Sequence, residues 1–333
     1  MGTYLVTGAA GFIGSHVTAT LLDRGDVVVG LDNLNDYYDP ARKRANLVEI
    51  RRGLVDQDRF IFVEGDIRDR DLLDRLFSTY AFDSVAHLAA MAGVHVSVQN
   101  PFLYYDVNVN GTLGLLDTAR RYGLGTFVNI STSSVYGQTK QIPFVETDPC
   151  DRPLAPYPAS KRAAEMLGYT YHHLYGLNVT VVRFFTVYGP RGRPDMVAYK
   201  VVENIFSGLE VPIYNNGQMY RDWTYVDDIA AGVVAALDRQ LGYEIINLGR
   251  GEPVLLADFV GIIEDLTGRK ASLVPTPMME TDIPYTFADI HRARTLLGYD
   301  PQVSVPEGVS RFWDWYKTTV LDVRAVALAG EER

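Results

Sequence analysis

TYLVTGAAGFIGSHVTATLLDRG, residues 3–25, runs from a short apolar stretch through three glycines into an amphipathic segment of helix length. Gly8, Gly11 and Gly14 stand where the first run ends and the second begins. Without side chains there, the turn is tight, backbone N–H groups can approach an anion, and the helix packs close to the strand. Working outward, VVVGLD (27–32), FIFVEGD (60–66), SVAHLAA (84–90) and TFVNIST (126–132) read as further strands. Helices are predicted between them over 13–24, 68–77, 109–121 and 157–173, and VTVVRFF (179–185) reads as one more buried strand. Apolar runs alternating with helix-length segments imply an α/β fold, a doubly wound parallel sheet with helices on both faces.

Beyond Tyr188 the texture changes, with PRGRPDM, YNNG, GRGEP and PTPMMETDIP supplying loops rich in Gly, Pro and Asn. A smaller, loop-rich C-terminal substrate-binding lobe is implied. Residues 222–247 nevertheless read as strand and helix material that returns to the first sheet. The expected division is therefore 1–185 plus about 222–249, and about 186–221 plus 250–325. RFWDWYK, with Trp313, Trp315 and Tyr316, reads as a helix packing on the second lobe.

The chain has 333 residues, enough for a sizeable core and two lobes, and its 47% hydrophobic and 22% charged content is that of a globular protein. A formal charge of -10 argues against nucleic acid as a partner, because phosphate backbones are bound by clustered positive charge. The single cysteine, Cys150, excludes an intramolecular disulfide and suits a reducing compartment. No run of 18 apolar residues is present, so no membrane association is expected and a cytoplasmic location is. His172 and His173 lack metal-ligand spacing, and no metal is expected.

Asp32 lies 18 residues beyond Gly14, at the end of the second strand. A carboxylate there accepts hydrogen bonds from both hydroxyls of a ribose, whereas a ribose phosphate would be repelled. Glycines, strand, helix and acid together point to a Rossmann-like site for NAD rather than NADP. Tyr157 and Lys161, in YPASK, stand at i and i+4 on one face of a predicted helix. An ammonium beside a phenol, with a cationic nicotinamide close by, stabilises the phenolate and is expected to lower its pKa, preparing it to take a hydroxyl proton while hydride leaves the same carbon. ISTSS, upstream at the end of a strand, offers hydroxyls to orient the substrate oxygen.

With these residues in view, the chain resembles the extended short-chain dehydrogenase/reductases and, within them, the nucleotide-sugar epimerases. The resemblance runs from TGAAGFIGS to LLGYDP. LDNLNDYYD from Leu31, RFFTVYGPRGRPDM from Arg183 and YNNGQMYRDWTYVDDI from Tyr214 are similar to the UDP-glucuronate 4-epimerases. It implies an NAD site lined by Gly8, Gly11, Phe12, Ile13, Gly14, Asp32, Asn33, Asn35, Asp66, Ile67, Leu88, Ala89, Ala90, Asn108, Tyr157, Lys161 and Phe184. Tyr157 would be the base and Lys161 its electrostatic partner and a ribose ligand. Thr132 occupies the position of the catalytic Ser or Thr, followed by Ser133 and Ser134; a turn-capping role suits Ser131 better than Thr132. Arg221 matches a diphosphate-binding arginine, its alternative being a surface ion pair with Asp222. Tyr214 and Asp282 would contact the nucleotide part of the substrate. Thr186, Arg193 and Ser133 are candidates for a hexuronate carboxylate, and Arg193 reads equally as a solvated loop residue. Two departures stand out: AGVHVS places His95 where an Arg is usual, and METD replaces QPGD.

The resemblance implies NAD-dependent epimerisation at C4 of UDP-glucuronate through a transient 4-keto sugar, with a homodimer as the assembly. Oxidative decarboxylation of the same keto acid, UDP-glucose 4-epimerisation, and a non-catalytic NAD-binding sensor or scaffold remain the alternatives. A 4,6-dehydratase is disfavoured, because Ser133 and Ser134 stand where those enzymes carry an Asp-Glu pair.

Overall fold

The computed structural model describes residues 1–321, so the last four residues expected in the second lobe, 322–325, lie outside the described residues. The chain begins β1 (Thr3–Thr7), α1 (Phe12–Asp23), β2 (Val27–Asp32), α2 (Pro40–Arg52), β3 (Phe60–Glu64), α3 (Arg70–Thr79) and β4 (Ser84–His87). It continues through α4 (Val94–Gln99), α5 (Pro101–Tyr105), α6 (Thr112–Arg121), β5 (Thr126–Thr132), α7 (Pro156–Tyr175) and β6 (Val179–Phe184). After β7 (Thr186–Tyr188) come α8 (Val197–Ser207), β8 (Glu210–Tyr214), β9 (Tyr220–Tyr225), α9 (Val226–Leu237) and β10 (Tyr243–Leu248). The remainder is β11 (Pro253–Leu255), α10 (Leu256–Thr267), β12 (Ser272–Thr276), β13 (Tyr285–Thr286), α11 (His291–Leu297) and α12 (Val305–Trp315).

Seven strands form one parallel sheet in the order β10-β6-β5-β4-β1-β2-β3. Every residue of β5 and β6 is buried, as a sheet covered on both faces requires. One apolar layer packs α1, α9 and α11 on the sheet, and the other packs α3 and α6. The α/β, doubly wound Rossmann-like architecture is therefore observed. The order reverses between β1 and β4, which leaves a crevice at the carboxyl ends of the strands.

Three helices before β5 escaped the periodicity. α2, PARKRANLVEIRR, buries only Lys43, Asn46 and Ile50, so it carries no apolar stripe to read. Its start is set instead by Asp39, which accepts from the Ala41 N–H, and by Pro40. α4 and α5 are short and interrupted at Asn100, whose side chain caps the second. The helix expected from 109 begins with a π-helical turn, Asp106–Gly111.

The remaining strands build smaller sheets, with β9 flanked by β7, β11 and β13, and β8 paired to β12. Trp223 stacks on Phe259 at 3.9 Å, with Tyr188, Tyr199, Phe312 and Tyr316 packed in the same core. Each such ring contributes about 2–3 kcal/mol when withdrawn from water. Trp313 and Trp315 pack against this core from α12.

Asp222 is fully buried, and its carboxylate accepts from Arg250 N–H at 2.6 Å, Gly251 N–H at 2.9 Å, Ala288 N–H at 3.0 Å and the Thr224 hydroxyl at 3.0 Å. It therefore clasps β9 to two distant loops. The surface ion pair with Arg221 does not form, because successive strand residues face opposite ways.

Candidate active site

The carboxyl ends of β1 to β6 open into one cleft. Of the residues implicated by sequence, Gly8, Gly11, Phe12, Ile13, Gly14, Asp32, Asn33, Asn35, Asp66, Ile67, Leu88, Ala89, Ala90, Thr132, Tyr157, Lys161, Phe184 and Arg193 line it. The glycine loop is built for close approach. Gly8 has φ +73, and a Cβ on it would stand 2.8 Å from the Ala89 nitrogen. A Cβ on Gly14 would overlap the Gly8 carbonyl oxygen.

Asp32 accepts from Ala10 N–H at 3.1 Å and Leu34 N–H at 2.9 Å, which fixes its carboxylate at the cleft wall. Burial pushes its pKa up, while these N–H groups and the Lys43 charge pull it down. Asp66 accepts from the Asn33 amide at 2.9 Å, and hydrogen bonds from Arg68 hold its carboxyl down at about 2. A glycine cradle and an oriented carboxylate fit the pyrophosphate and ribose of a dinucleotide. Lys161 adds a buried ammonium, 3% exposed, whose Nζ makes no hydrogen bond within the described residues.

Tyr157 and Thr132 meet at the cleft floor, on α7 and at the end of β5. Burial pushes the Tyr157 phenol up, with Arg193 and a hydrogen bond from Thr132 pulling the other way. Burial likewise lowers the Lys161 ammonium to about 8, opposed by Glu165. In a dry site, desolvation of the charged forms outweighs their mutual help.

Thr132, rather than Ser131, caps the following turn by accepting from Ser134 N–H at 3.2 Å. Ser131 instead donates to the Glu165 carboxylate at 2.5 Å. Ser133 and Ser134 open that turn beside the cleft, and Thr186 begins β7; none of the three lines it. Asn108 also stays out of the cleft, 1% exposed, bracing Met91 through N–H and C=O bonds of 2.8 and 2.9 Å. Arg193 is not solvated: it pairs with Asp195 at 2.7 Å and lies 5.4 Å over the Tyr37 ring. Tyr214, Arg221 and Asp282 belong to the second lobe. Asp282 bonds His95 at 3.1 Å, and its charge acts on Arg221, so the histidine that departs from the usual pattern meets the aspartate that METD shares with QPGD.

Sequence reading missed His87, which lies beneath the glycine loop with 1% exposure. Ala89 N–H donates to Thr7 Oγ1, Thr7 Oγ1 lies 2.8 Å from His87 Nδ1, His87 Nε2 lies 2.9 Å from Thr112 Oγ1, and Thr112 donates to the Asn108 carbonyl. Thr112, which donates to the Asn108 carbonyl, accepts from Nε2–H, and a neutral imidazole then accepts the Thr7 hydroxyl at Nδ1. Burial, aided by the Lys161 charge, lowers its pKa to about 3. A folded-state pKa below the unfolded value means that the unfolded chain takes up the proton first as pH falls. Stability is thus expected to drop by about 2 kcal/mol between pH 7 and pH 5 through this residue alone. Urea midpoints at the two pH values, compared with His87→Gln, check this; an equal pH slope in the variant would refute it.

A family model described as NAD dependent epimerase/dehydratase matches residues 4–249. The chain belongs to this family. Within the epimerase/dehydratase family, a UDP-glucuronate 4-epimerase of Thermodesulfobacterium geofontis is 44% identical over 328 residues, 98% of this chain and 99% of the relative. A UDP-glucuronic acid 4-epimerase from Bacillus cereus, solved in complex with UDP-glucuronic acid and NAD, superposes with a TM-score of 0.87 and 35% identity, covering 95% of this chain and 99% of that one. A dTDP-glucose 4,6-dehydratase from Streptomyces venezuelae, with NAD and TYD bound, gives the same TM-score, 0.87, at 34% identity, over 95% of this chain and 97% of that one. The backbone therefore does not separate epimerase from dehydratase.

Proposed function

We propose that the protein is an NAD-dependent epimerase acting at C4 of UDP-glucuronate, giving UDP-galacturonate through a transient 4-keto sugar. The observation that carries the reading is the cleft floor, where Tyr157, Lys161 and Thr132 converge and Ser133 and Ser134 follow without an acid. Loss of water from the sugar needs a general acid and base there, and two hydroxyls supply neither at neutral pH. The full-length relative at 44% identity supports the same substrate.

When bound, NAD supplies the acceptor and donor of the C4 hydride. The phenol oxygen of Tyr157 takes the C4 hydroxyl proton and later returns it. Lys161 holds positive charge next to that oxygen and reaches the ribose. Thr132 keeps a hydroxyl beside Tyr157 and orients the C4 oxygen. Asp32 holds the adenosine ribose, while Arg221, with Tyr214 and Asp282, grips the UDP part from the second lobe. Arg193, which lines the cleft, meets the carboxylate of the sugar, with Ser133 and Thr186 reaching it from beside the cleft. We assign residues 1–185 with about 222–249 to the cofactor and about 186–221 with 250 onward to the UDP-sugar.

No net redox change occurs, so turnover without added NAD is expected. Proton NMR of the purified protein with UDP-glucuronate, and UDP-glucose in a parallel tube, tests the reading. UDP-galacturonate alone supports it, a pentose nucleotide with carbon dioxide identifies a decarboxylase, and turnover of UDP-glucose alone removes the hexuronate assignment. Inertness even after NAD addition points to a binding protein.

The assembly in this proposal is a homodimer. Phe102 is 86% exposed on α5, with Tyr105 beside it, and the adjacent α7 exposes Met166 and Tyr169. Apolar side chains gathered on neighbouring helices favour burial against a second copy. Sedimentation velocity is expected to show a dimer, and the double variant Phe102→Asp, Met166→Asp a monomer; an unchanged coefficient would place the interface elsewhere. A cytoplasmic location completes the reading. No helix among the described residues is long and apolar enough to cross a membrane, and burial pushes the Cys150 thiol up to about 12.

A further inference from the structure

Glu165 lies one helical turn beyond Lys161 on α7 and is 0% exposed. Its carboxylate receives Arg183 Nε at 3.0 Å and a second Arg183 nitrogen at 2.8 Å, from β6. It also receives Arg162 at 2.8 Å from its own helix and the Ser131 hydroxyl at 2.5 Å from β5. Ser131 precedes Thr132, and Arg183 precedes the cleft residue Phe184. One buried carboxylate thus joins the three elements that carry Lys161, Thr132 and Phe184.

The other titratable groups packed around this turn are neutral. Tyr243 of β10 donates to the Glu165 carbonyl at 3.1 Å, and the Tyr136 ring lies 4.8 Å from the Arg183 guanidinium. Burial raises both phenols and the thiol of Cys150, and keeps His87 of β4 uncharged beside Lys161. What remains is three cations, Lys161, Arg162 and Arg183, around one anion. A buried ion pair is weak evidence of stabilisation in itself, since desolvation of both charges is costly. Its placement beside the catalytic ammonium is better evidence of a role there.

We propose that Glu165 is a positioning residue of this site: its carboxylate ties the turn of α7 that carries Lys161 to the ends of β5 and β6, and stands one helical turn from the ammonium. The inference rests on the epimerase reading only for what the charge on Lys161 accomplishes. Lys161 itself titrates whether or not a sugar turns over.

The test is a 13C NMR titration of the purified full chain labelled at lysine Cε, with the Lys161 resonance assigned from a Lys161→Met variant. The midpoint is expected near 8 in the unaltered protein. Glu165→Gln should move it down by about one pH unit, and move the alkaline limb of kcat with it, while Glu165→Asp restores much of both. Arg162→Met, which removes a cation at the solvent side, should move the midpoint upward and serves if Glu165→Gln does not fold. A falling melting temperature with midpoints unmoved in every folded variant would mean that Glu165 only fastens helix to sheet, and the proposal is overturned. Failure of UDP-glucuronate to react would undo the epimerase reading and leave the titration intact.

Discussion

Tyr157→Phe is expected to lower kcat by about 10²–10⁴-fold, the range that positioned acid–base groups contribute. The substitution removes one oxygen and leaves the ring, which packs edge-on to Tyr104 at 6.1 Å, so the fold and the bound cofactor should be retained. No neighbouring group is placed to substitute. Tyr37 and Tyr104 are the nearest other phenols, and burial raises both, while their hydroxyls are engaged by Asp195 and the Ala92 carbonyl. The check is kcat from NMR time courses with UDP-sugar affinity from calorimetry. A loss of tenfold or less would mean that another group moves the proton. Because burial raises the Tyr157 phenol, its activation must come largely from the positive charge of the nicotinamide ring when the cofactor is bound, and the acid limb of kcat reports that shift.

Gly14→Ala should lose most of the retained NAD and about 1–3 kcal/mol of stability. The new Cβ would overlap the Gly8 carbonyl oxygen and lie 2.8 Å from the Gly8 carbonyl carbon and 3.2 Å from Ala9 Cα. These are backbone atoms, so no rotamer change relieves the overlap. Nor can the loop retreat easily, since Gly8 N–H donates to the Leu31 carbonyl at 2.7 Å. Gly25→Ala is the control: Gly25 has φ +96 but nothing within 4 Å of a new Cβ, so strain arises without damage to the cleft. Nucleotide released by acid from both variants, with urea midpoints, decides the matter. Equal NAD content in both would show that the loop tolerates a side chain and that the cradle has been misread.

The parts of the site legible in the sequence were those held by short spacings. The glycine loop sits within seven residues, and Tyr157 and Lys161 share a helix face through the i, i+4 relation. Apolar runs likewise marked β1 to β6, because a strand buried on both faces carries apolar residues on both, even where Asn129, Ser131 and Arg183 interrupt β5 and β6. The polar helix α2 was missed because a few capping residues define it, without an apolar stripe. Spacing also reveals which groups stand near Tyr157 and Lys161, but not how dry their surroundings are.

Sequence by itself determined the parallel α/β sheet, the dinucleotide loop and the tyrosine–lysine pair. Only the tertiary structure decided that Arg193 pairs with Asp195, that Asp222 turns inward, that His87 stays neutral under the loop, and that Arg183 and Ser131 converge on Glu165. His95 and Asp282, separated by 187 residues, meet only because the loop before β13 folds back against α4. The physical reason is one of range: periodicity and turn chemistry act over a few residues, whereas burial and charge pairing depend on which distant segments the packed sheets bring into contact.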